Sequence, residues 1–371
     1  MDNTLYWVWL TSLSGVFANK VNALLEHFDT IEDIYRADAE EYMKIKGISR
    51  LESCILKNKD LTHAEEIVKK IKDIGGYILT YDDEKYPDVL RKIGTPPYVL
   101  YTKGELPDWD KIFTIGVVGT RWCTDYGKKA AAHICGELAA RGATVISGMA
   151  KGIDAEAARA TIAAGGKTIA VLGCGIDVVY PPQNKALKKE IEQKGLVMTE
   201  YPPGSGALKF HFPERNRIIS GLSKGILVVE APLKSGALIT AKHAYRTGKD
   251  IFAVPGSIFS ETSEGTNRLI KQGAKPVWTA EDIIEEYPFE AKKLAPVEKE
   301  IKVTDINDEK YSELDDVEKQ IIAMLLKKNV NIEEIRVGTG LEMGELNRLM
   351  PMLEMLGFIK KLPGENYKIE N

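Results

Sequence analysis

Six short apolar runs, rich in β-branched residues, recur along the middle of the chain. They are IFTIGVVG, ATVISG, TIAVLG, GLVMTE, GILVVEA and DIFAVPG, and amphipathic segments such as YGKKAAAHICGELAARG lie between them. Parallel strands that are buried on both faces of a sheet have this uniformly apolar character, and helices connect them. The pattern therefore predicts an α/β fold, with an extended Rossmann-like parallel-sheet domain over residues 76–289.

The N-terminal flank of the predicted sheet has a helical pattern. Within residues 1–75, LSGV and IKGI place a glycine between apolar residues, as helix-hairpin-helix turns do. Because such turns can bring amide N–H groups to a phosphate, residues 1–75 are predicted to be a helix-hairpin-helix, SAM-like domain. Glu40, Glu41 and Glu52 crowd the second turn and would repel phosphate, so a helical bundle that makes only protein contacts remains open as an alternative.

The C-terminal flank divides into a linker and a small domain. Residues 290–312 are charged and lack periodic apolar residues, which is typical of a linker. Residues 313–371 combine amphipathic helices with an alternating FIKKLPGENYKIE hairpin, which predicts a winged-helix domain. On its candidate recognition helix, acidic residues outnumber the single arginine, Arg348. We therefore expect this domain to contact protein rather than DNA phosphates.

The overall charge limits the kinds of partner that the chain can bind. A net charge of −4 and a pI of about 5.9 argue against a histone-like coating of nucleic acid, so any polyanion site must be local. No signal peptide or membrane-spanning run is recognisable, and we expect a cytoplasmic protein without membrane contact. The four cysteines form no CxxC pair, which disfavours both a zinc site and a disulfide framework.

Three glycine-containing loops follow predicted strands: GVVGTRWCTDYG, SGMAKGIDAEA and PLKSGALITA. The carboxyl ends of parallel strands meet at one crevice, where helix N-termini favour anions. With Arg121 and Lys151 beside these loops, the sequence predicts an anion site at that edge. There is no P-loop, GCGIDV lacks the third glycine of a dinucleotide fingerprint, and no catalytic motif is recognisable, so neither a cofactor, a metal nor a catalytic residue is predicted.

The stretch KFHFPERNRIISGLSKG concentrates cations and aromatic rings in an otherwise acidic chain. Arginine and lysine pair with phosphates, and aromatic rings stack on exposed bases, so the combination suits single-stranded nucleic acid. His211 lies within the stretch and is placed to meet a ligand. The alternative is that Phe210 and Phe212 fill the core while the arginines hold the helix by salt bridges, and this also remains open.

With these motifs assembled, the chain resembles the DprA/Smf family, the DNA-processing protein A of bacterial natural transformation. The resemblance runs densely over residues 80–280, through VGTRWCTDYG, SGMAKGIDAEAA, TIAVLGCGIDVVYPPQNKAL, FPERNRIISGLS and VVEAPLKSGALITAKHA. It implies a non-enzymatic homodimer that binds and protects single-stranded DNA and loads a RecA-type recombinase on it during transformation.

The candidate site residues come from the loops, the cationic stretch and the resemblance. The residues predicted to bind single-stranded DNA are Arg121, Ser147, Gly148, Lys151, Lys185, Lys209, Phe212, Arg215, Asn216, Arg217, Ser235 and Gly236. The resemblance implies phosphate contacts from Arg121 and Lys209 and a base contact from Phe212. It also implies a dimer interface at NRLIKQGA, with Leu269 and Ile270 as apolar anchors.

A hydrolase of nucleotides or sugar phosphates is the competing hypothesis. Rossmann-like phosphoribohydrolases resemble the chain in part and use a PGGxGTxxE motif, in which the glutamate assists bond cleavage. Here the segment reads VPGSIFSETSEGTN, with a longer separation between its two halves and Asn267 in place of a correctly spaced acid. The segment therefore cannot place a carboxylate as such an enzyme requires.

Overall fold

The computed structural model describes residues 3–15, 18–291, 294, 311, 314–327, 329–362 and 364–370. The chain forms two compact units, residues 1–297 and residues 298–371. Most of the predicted linker, residues 290–312, lies outside the described residues. The finer domain boundaries at residues 75 and 289 stay predictions.

The first unit opens with short helices that pack around aromatic side chains. These helices are α1 (Asn3–Ser12), α2 (Ala18–Leu25), α3 (Ile31–Arg36), α4 (Ala39–Met43), α5 (Arg50–Leu56) and α6 (Thr62–Asp73). Trp7 and Trp9 are fully buried at their centre. The Lys59 ammonium lies 4.9 Å from the Trp9 ring centroid and 4.8 Å from that of Tyr42, so cation–π attraction helps to close this core.

A nine-stranded sheet follows within the described residues. Its strands are β1 (Tyr77–Thr80), β2 (Val99–Gly104), β3 (Thr114–Val118), β4 (Thr144–Ser147), β5 (Thr168–Val171), β6 (Leu196–Thr199), β7 (Gly225–Val228), β8 (Asp250–Ala253) and β9 (Lys275–Pro276). The six predicted runs each contain one of β3 to β8, and these strands pair in parallel. The α/β prediction is confirmed. The structure adds antiparallel strands β1 and β2 beyond β6, and a short parallel β9.

Helices cover both faces of the parallel strands. They are α7 (Asp88–Arg91), α8 (Asp125–Ala140), α9 (Ile153–Ala163), α10 (Lys185–Lys194), α11 (His211–Leu222), α12 (Ala237–Arg246), α13 (Glu264–Lys271), α14 (Glu281–Ile284) and α15 (Pro288–Ala291). Val117 packs in one apolar layer with residues of α8 and α9, while its neighbour Val118 packs in the other layer with residues of α11 and α12. This burial on both faces explains why the strand sequences are apolar throughout. Across the described helices, none is both long and apolar enough to cross a membrane.

The strand order determines where a crevice opens. Neighbouring strands run β1-β2-β6-β5-β4-β3-β7-β8-β9, so the chain proceeds to one side of β3 through β4, β5 and β6, and then returns to its other side at β7. The loops after β3 and β7 consequently leave the sheet in opposite directions. In open α/β sheets, ligands bind in the crevice beyond the carboxyl ends of the strands at this reversal.

The end of α11 is fixed by a lysine from the β7 to β8 connection. Lys249 Nζ donates to the carbonyl oxygens of Ser220, Gly221 and Ser223, at 2.6, 2.7 and 2.6 Å. A cation at a helix C-terminus satisfies carbonyl groups that have no partner within the helix. The bonds hold α11, which carries the predicted cationic stretch, against the sheet.

The second unit combines helices with a small antiparallel sheet. Its described elements are α16 (Asp316–Lys327), β10 (Val330–Asn331), α17 (Ile332–Thr339), α18 (Met343–Met355), β11 (Ile359–Leu362) and β12 (Asn366–Ile369). The strand order is β10-β12-β11. The predicted hairpin tip includes Pro363, which lies outside the described residues. The assignment of this unit as a winged helix stays a prediction.

Candidate nucleic-acid interface

A two-lobed crevice lies at the strand reversal between β3 and β7. One lobe has a volume of about 210 Å³ and the other about 360 Å³. Both are lined by Arg121, Trp122, Ala150 and Phe212, so the lobes join at these four residues. The walls come from the loops after β3, β4, β5 and β7 and from the first turn of α11. We call this space the switch-point crevice.

A buried carboxylate organises the loop that carries Arg121. Glu230 follows β7 and is only 2% exposed. Its side chain accepts from the Thr124 amide at 2.9 Å and from Thr124 Oγ1 at 2.6 Å, and its backbone oxygen accepts from the Thr120 amide at 2.7 Å. Because both ends of the loop are tied to one residue, Arg121 and Trp122 between them are held at the mouth of the crevice.

The loop after β4 has a constrained backbone. Met149 is buried and has φ 53°, a left-handed conformation that is unusual for a residue with a side chain. Gly152 has φ 84°, and a Cβ there would lie 2.8 Å from the Arg121 carbonyl oxygen. Only glycine therefore allows the loops after β3 and β4 to approach this closely.

Asp154, in the first turn of α9, holds that loop from inside. Its carboxylate accepts from the Gly148 amide at 3.1 Å and from the Ala150 amide at 3.4 Å. Burial raises the pKa of this carboxyl, while the Arg215 guanidinium and the two amide hydrogen bonds act in the opposite direction. Asp154 lines the crevice floor but is only 6% exposed, so its carboxylate offers little surface for direct contact with a ligand.

Arg215 crosses beneath the crevice and joins two loops. It is 3% exposed, and its Nη1 donates to the carbonyl oxygens of Gly148, at 2.8 Å, and Val171. A side chain at position 148 would overlap the Arg215 guanidinium, which explains the glycine there. Burial lowers the pKa of Arg215, and attraction to Asp154 opposes that change. Arg215 thus stabilises the crevice from below.

The exposed charged side chains of the crevice lining are all cationic: Arg121, Lys151, Lys209 and Lys234. Aromatic rings lie among them. The Arg121 guanidinium is 5.0 Å from the Phe212 ring centroid, and Lys151 Nζ is 3.7 Å from that of Trp122. Tyr180 adds a third ring, 5.3 Å from Phe212. The surface can therefore neutralise phosphates and offer apolar faces to planar groups.

Comparison with known proteins identifies this architecture. The family of DNA recombination-mediator protein A matches residues 77–288, which include the whole sheet and the crevice. The chain belongs to this family. A SAM-like helix-hairpin-helix tandem also matches residues 10–50, which confirms the helix-hairpin-helix prediction.

Relatives of this recombination-mediator family resemble the chain over most of its length. Protein Smf of Synechocystis is 32% identical, over 98% of both chains. DNA processing protein DprA of Streptococcus pneumoniae is 45% identical, over 56% of this chain and 73% of its own. The crystal structure of a DprA from Streptococcus pneumoniae superposes with a TM-score of 0.69 at 36% identity, covering 78% of this chain and 99% of its own. A Helicobacter pylori DNA processing protein A, described for its single-stranded DNA binding mode, gives a TM-score of 0.52 at 29% identity, covering 59% of this chain and 97% of its own.

The structure brings together most of the residues that were predicted from the sequence to bind single-stranded DNA. The predicted residues that line the switch-point crevice are Arg121, Gly148, Lys151, Lys209, Phe212, Arg215, Asn216, Ser235 and Gly236. Asn216 is only 9% exposed, and its side-chain amide donates to the Gly236 carbonyl oxygen at 3.3 Å. Ser147 is 1% exposed and donates to the Val117 carbonyl oxygen at 2.8 Å, so its hydroxyl holds β4 to β3.

Other singled-out residues lie away from this space. Lys185 is exposed at the start of α10, outside the crevice lining. Arg217 pairs with Glu200 at 2.5 Å and lines a separate cavity of about 640 Å³ beside the N-terminal helices. His211 is buried, with its ring stacked 3.8 Å from that of Tyr201, and therefore does not have the accessible position that we expected. Arg215 and Arg217 of the cationic stretch thus make contacts within the protein, while Phe210 is exposed and Phe212 half-buried, and the contact of this stretch with single-stranded DNA stays a prediction.

Trp122, Tyr180 and Lys234 also line the crevice and were not singled out from the sequence. Trp122 follows Arg121 directly, and Lys234 precedes the predicted Ser235 and Gly236. The signal that could have found Trp122 and Lys234 was therefore their position in the glycine-containing loops that were already predicted to form the site. Tyr180 offered only its position a few residues after a predicted strand.

Proposed function

We propose that the chain binds single-stranded DNA in the switch-point crevice, protects it, and delivers it to a RecA-type recombinase, without catalysing a reaction itself. The observation that carries this proposal is the set of four exposed cations around open aromatic rings, in a chain whose net charge is −4. The name of the family, a DNA recombination mediator, supports the recombinase step. A role in natural transformation and a cytoplasmic location belong to the same proposal.

The crevice geometry favours single strands over duplex DNA. Trp122 and Phe212 lie among the cations that line the crevice. Bases in a single strand are free to stack on such rings, whereas duplex bases are already stacked on one another. Phosphate contacts carry no sequence information, so we expect little sequence preference.

A competition titration tests this proposal. Unlabelled single strands should displace a labelled oligonucleotide from the full chain at much lower concentration than the matched duplex does. Binding should weaken linearly with salt on a log–log plot, with a slope of about 0.7 per neutralised phosphate. Equal competition by the duplex would contradict single-strand preference, and affinity unchanged by salt would contradict the phosphate contacts.

The hydrolase hypothesis receives no support from the corresponding segment. Asn267, which replaces the expected acid, accepts from the Gly256 amide at 3.2 Å and donates to the Gly256 carbonyl oxygen at 3.0 Å. Its side chain therefore closes the loop between β8 and α13. The Asn267 side chain thus stabilises the loop, and both its amide oxygen and its amide nitrogen are bonded to the Gly256 backbone.

We also propose that the chain forms a homodimer through α13. Leu269 and Ile270 are partly exposed on this helix, and Leu269 lines a groove of about 790 Å³ together with Tyr245 of α12. Tyr245 is 77% exposed. A two-fold partner that inserts the same apolar residues would cover this surface.

Ile270→Glu is expected to convert the dimer to a folded monomer, because a charge at the centre of an apolar interface would be buried without a partner. Leu269→Glu should act in the same way but also lower stability, since Leu269 packs partly against the core. Multi-angle light scattering measures the mass, and circular dichroism checks the fold. A dimer that persists in Ile270→Glu would place the interface elsewhere.

A further inference from the structure

Trp122 is an exposed tryptophan in a cationic setting, and it was not singled out from the sequence. Its side chain is 75% exposed although it lines both lobes of the switch-point crevice. A planar base stacked on this ring would remove apolar surface from water, which is favourable. Arg121 is its neighbour in sequence, and Lys151 lies against its ring.

Phe212, the ring predicted to contact a base, is less available than Trp122. It is half-buried, with Tyr180 at 5.3 Å and the Arg121 guanidinium at 5.0 Å from its ring centroid. A Cβ at Gly173 would lie 2.9 Å from the Phe212 ring, so backbone also packs closely against it. Phe212 can therefore offer a base only part of its surface, whereas Trp122 can offer most of one indole face.

We propose that Trp122 is a second base-stacking platform, so that the crevice takes consecutive bases of a single strand on Trp122 and beside Phe212. This inference rests on the proposed function, and it names Trp122 as a residue on which the affinity of the chain for single-stranded DNA depends. Lys151 positions the platform: its ammonium, 3.7 Å from the ring centroid, attracts the indole and restrains it. The same ammonium can pair with a phosphate of the bound strand.

A pair of matched ligands separates stacking from phosphate contact. The full chain is titrated with an oligodeoxythymidylate and with an abasic oligonucleotide of equal length, which keeps the phosphates and lacks the bases. Trp122→Ala should weaken binding of the thymidylate by about 5- to 150-fold. It should leave binding of the abasic strand nearly unchanged. Trp122→Phe should retain most of the affinity, because a smaller ring can still stack.

Trp278 provides a matched control. All five tryptophans lie within the described residues, and the strongly exposed ones are Trp122 and Trp278. Trp278 is 61% exposed and follows the edge strand β9. Trp278→Ala should bind both ligands as the wild type does. Trp278→Phe should keep the quenching of intrinsic fluorescence by the thymidylate, and Trp122→Phe should lose most of it, because a stacked base quenches only the indole that it touches.

The outcomes distinguish this inference from the proposed function. If Trp122→Ala keeps the wild-type ratio of thymidylate to abasic affinity, Trp122 is not a platform, while single-strand binding stands. Quenching that survives in Trp122→Phe overturns the inference in the same way. If the wild type binds neither ligand, the proposed function fails and the inference fails with it.

Discussion

Arg215→Met is expected to lower the free energy of unfolding by about 3–5 kcal/mol. Arg215 is 3% exposed, and its guanidinium joins the loops after β4 and β5 through the carbonyl oxygens of Gly148 and Val171. Methionine fills a similar volume but cannot donate to these oxygens. The substitution also removes one of the two arginine charges, those of Arg215 and Arg121, that favour the ionised form of the buried Asp154 carboxyl, and this loss of compensation is the costlier of the two losses.

Urea denaturation of the full chain measures this change in the free energy of unfolding, and two further variants help to assign its cause. Arg159→Met is the control, since Arg159 is an exposed arginine on α9 whose ion pair with Glu156 and 3.4 Å hydrogen bond to Asn184 Oδ1 should contribute much less than the buried contacts of Arg215. Adding Asp154→Asn to Arg215→Met should restore part of the stability, because it removes the carboxylate charge that Arg215 no longer balances. If Arg215→Met unfolds at the same urea concentration as Arg159→Met, Arg215 does not stabilise the crevice.

Replacing Arg121 and Lys209 together by alanine is expected to weaken single-stranded DNA binding by at least about a hundredfold. Each of these exposed cations would lose one charge-assisted phosphate contact, and such bonds contribute about 1.5–3 kcal/mol. The Arg121 side chain also covers the Phe212 ring, so its removal disturbs the neighbouring stacking surface. Neither side chain is buried, and the thermal unfolding temperature should change little.

Phe212→Ala should lower the affinity without the change in salt dependence that is expected when a cation that contacts phosphate is removed. Loss of a stacking ring lowers affinity and leaves the salt slope nearly unchanged, because no phosphate contact is removed. Since Phe212 is half-buried against Tyr180, some loss of stability should accompany the loss of affinity. Thermal melting and titration of the same preparation separate the two contributions. A large fall in melting temperature, with affinity retained by the folded fraction, would make this ring structural.

The α/β architecture could be predicted because strands that are buried on both faces of the sheet have apolar residues at consecutive positions. The runs around β3 to β8 are apolar at consecutive positions, and their short length, their β-branched residues and the amphipathic segments between them distinguish them from helices. Strands β1 and β2 were missed because YILT and VLYTKG are short and partly polar and pair antiparallel at the sheet edge. Their role depends on a neighbouring strand that the local sequence does not reveal.

The sequence predicted which loops form the site. It did not predict which of their side chains are buried within the protein and which are exposed to a ligand. Arg215 looked like a DNA contact, yet it is buried with Ile218, Ile219 and Leu222 at positions i, i+3, i+4 and i+7 of α11. That spacing was readable and indicates the inward face of the helix. Trp122 left no comparable signal, because a single tryptophan in a loop has no period, and its exposure follows from packing between distant segments.

The salt dependence of single-stranded DNA affinity, measured side by side for the wild type, Arg121→Ala and Lys224→Ala, tests the central claim most directly. Lys224 belongs to the same cationic stretch but lies before β7, at the opposite edge of the sheet, where it pairs with Glu290 at 3.2 Å. Arg121→Ala should lower both the affinity and the slope, by about 0.7 of a unit, which is one phosphate's share. Lys224→Ala should match the wild type. Equal slopes for all three proteins, or a lower slope for Lys224→Ala alone, would contradict binding in the switch-point crevice.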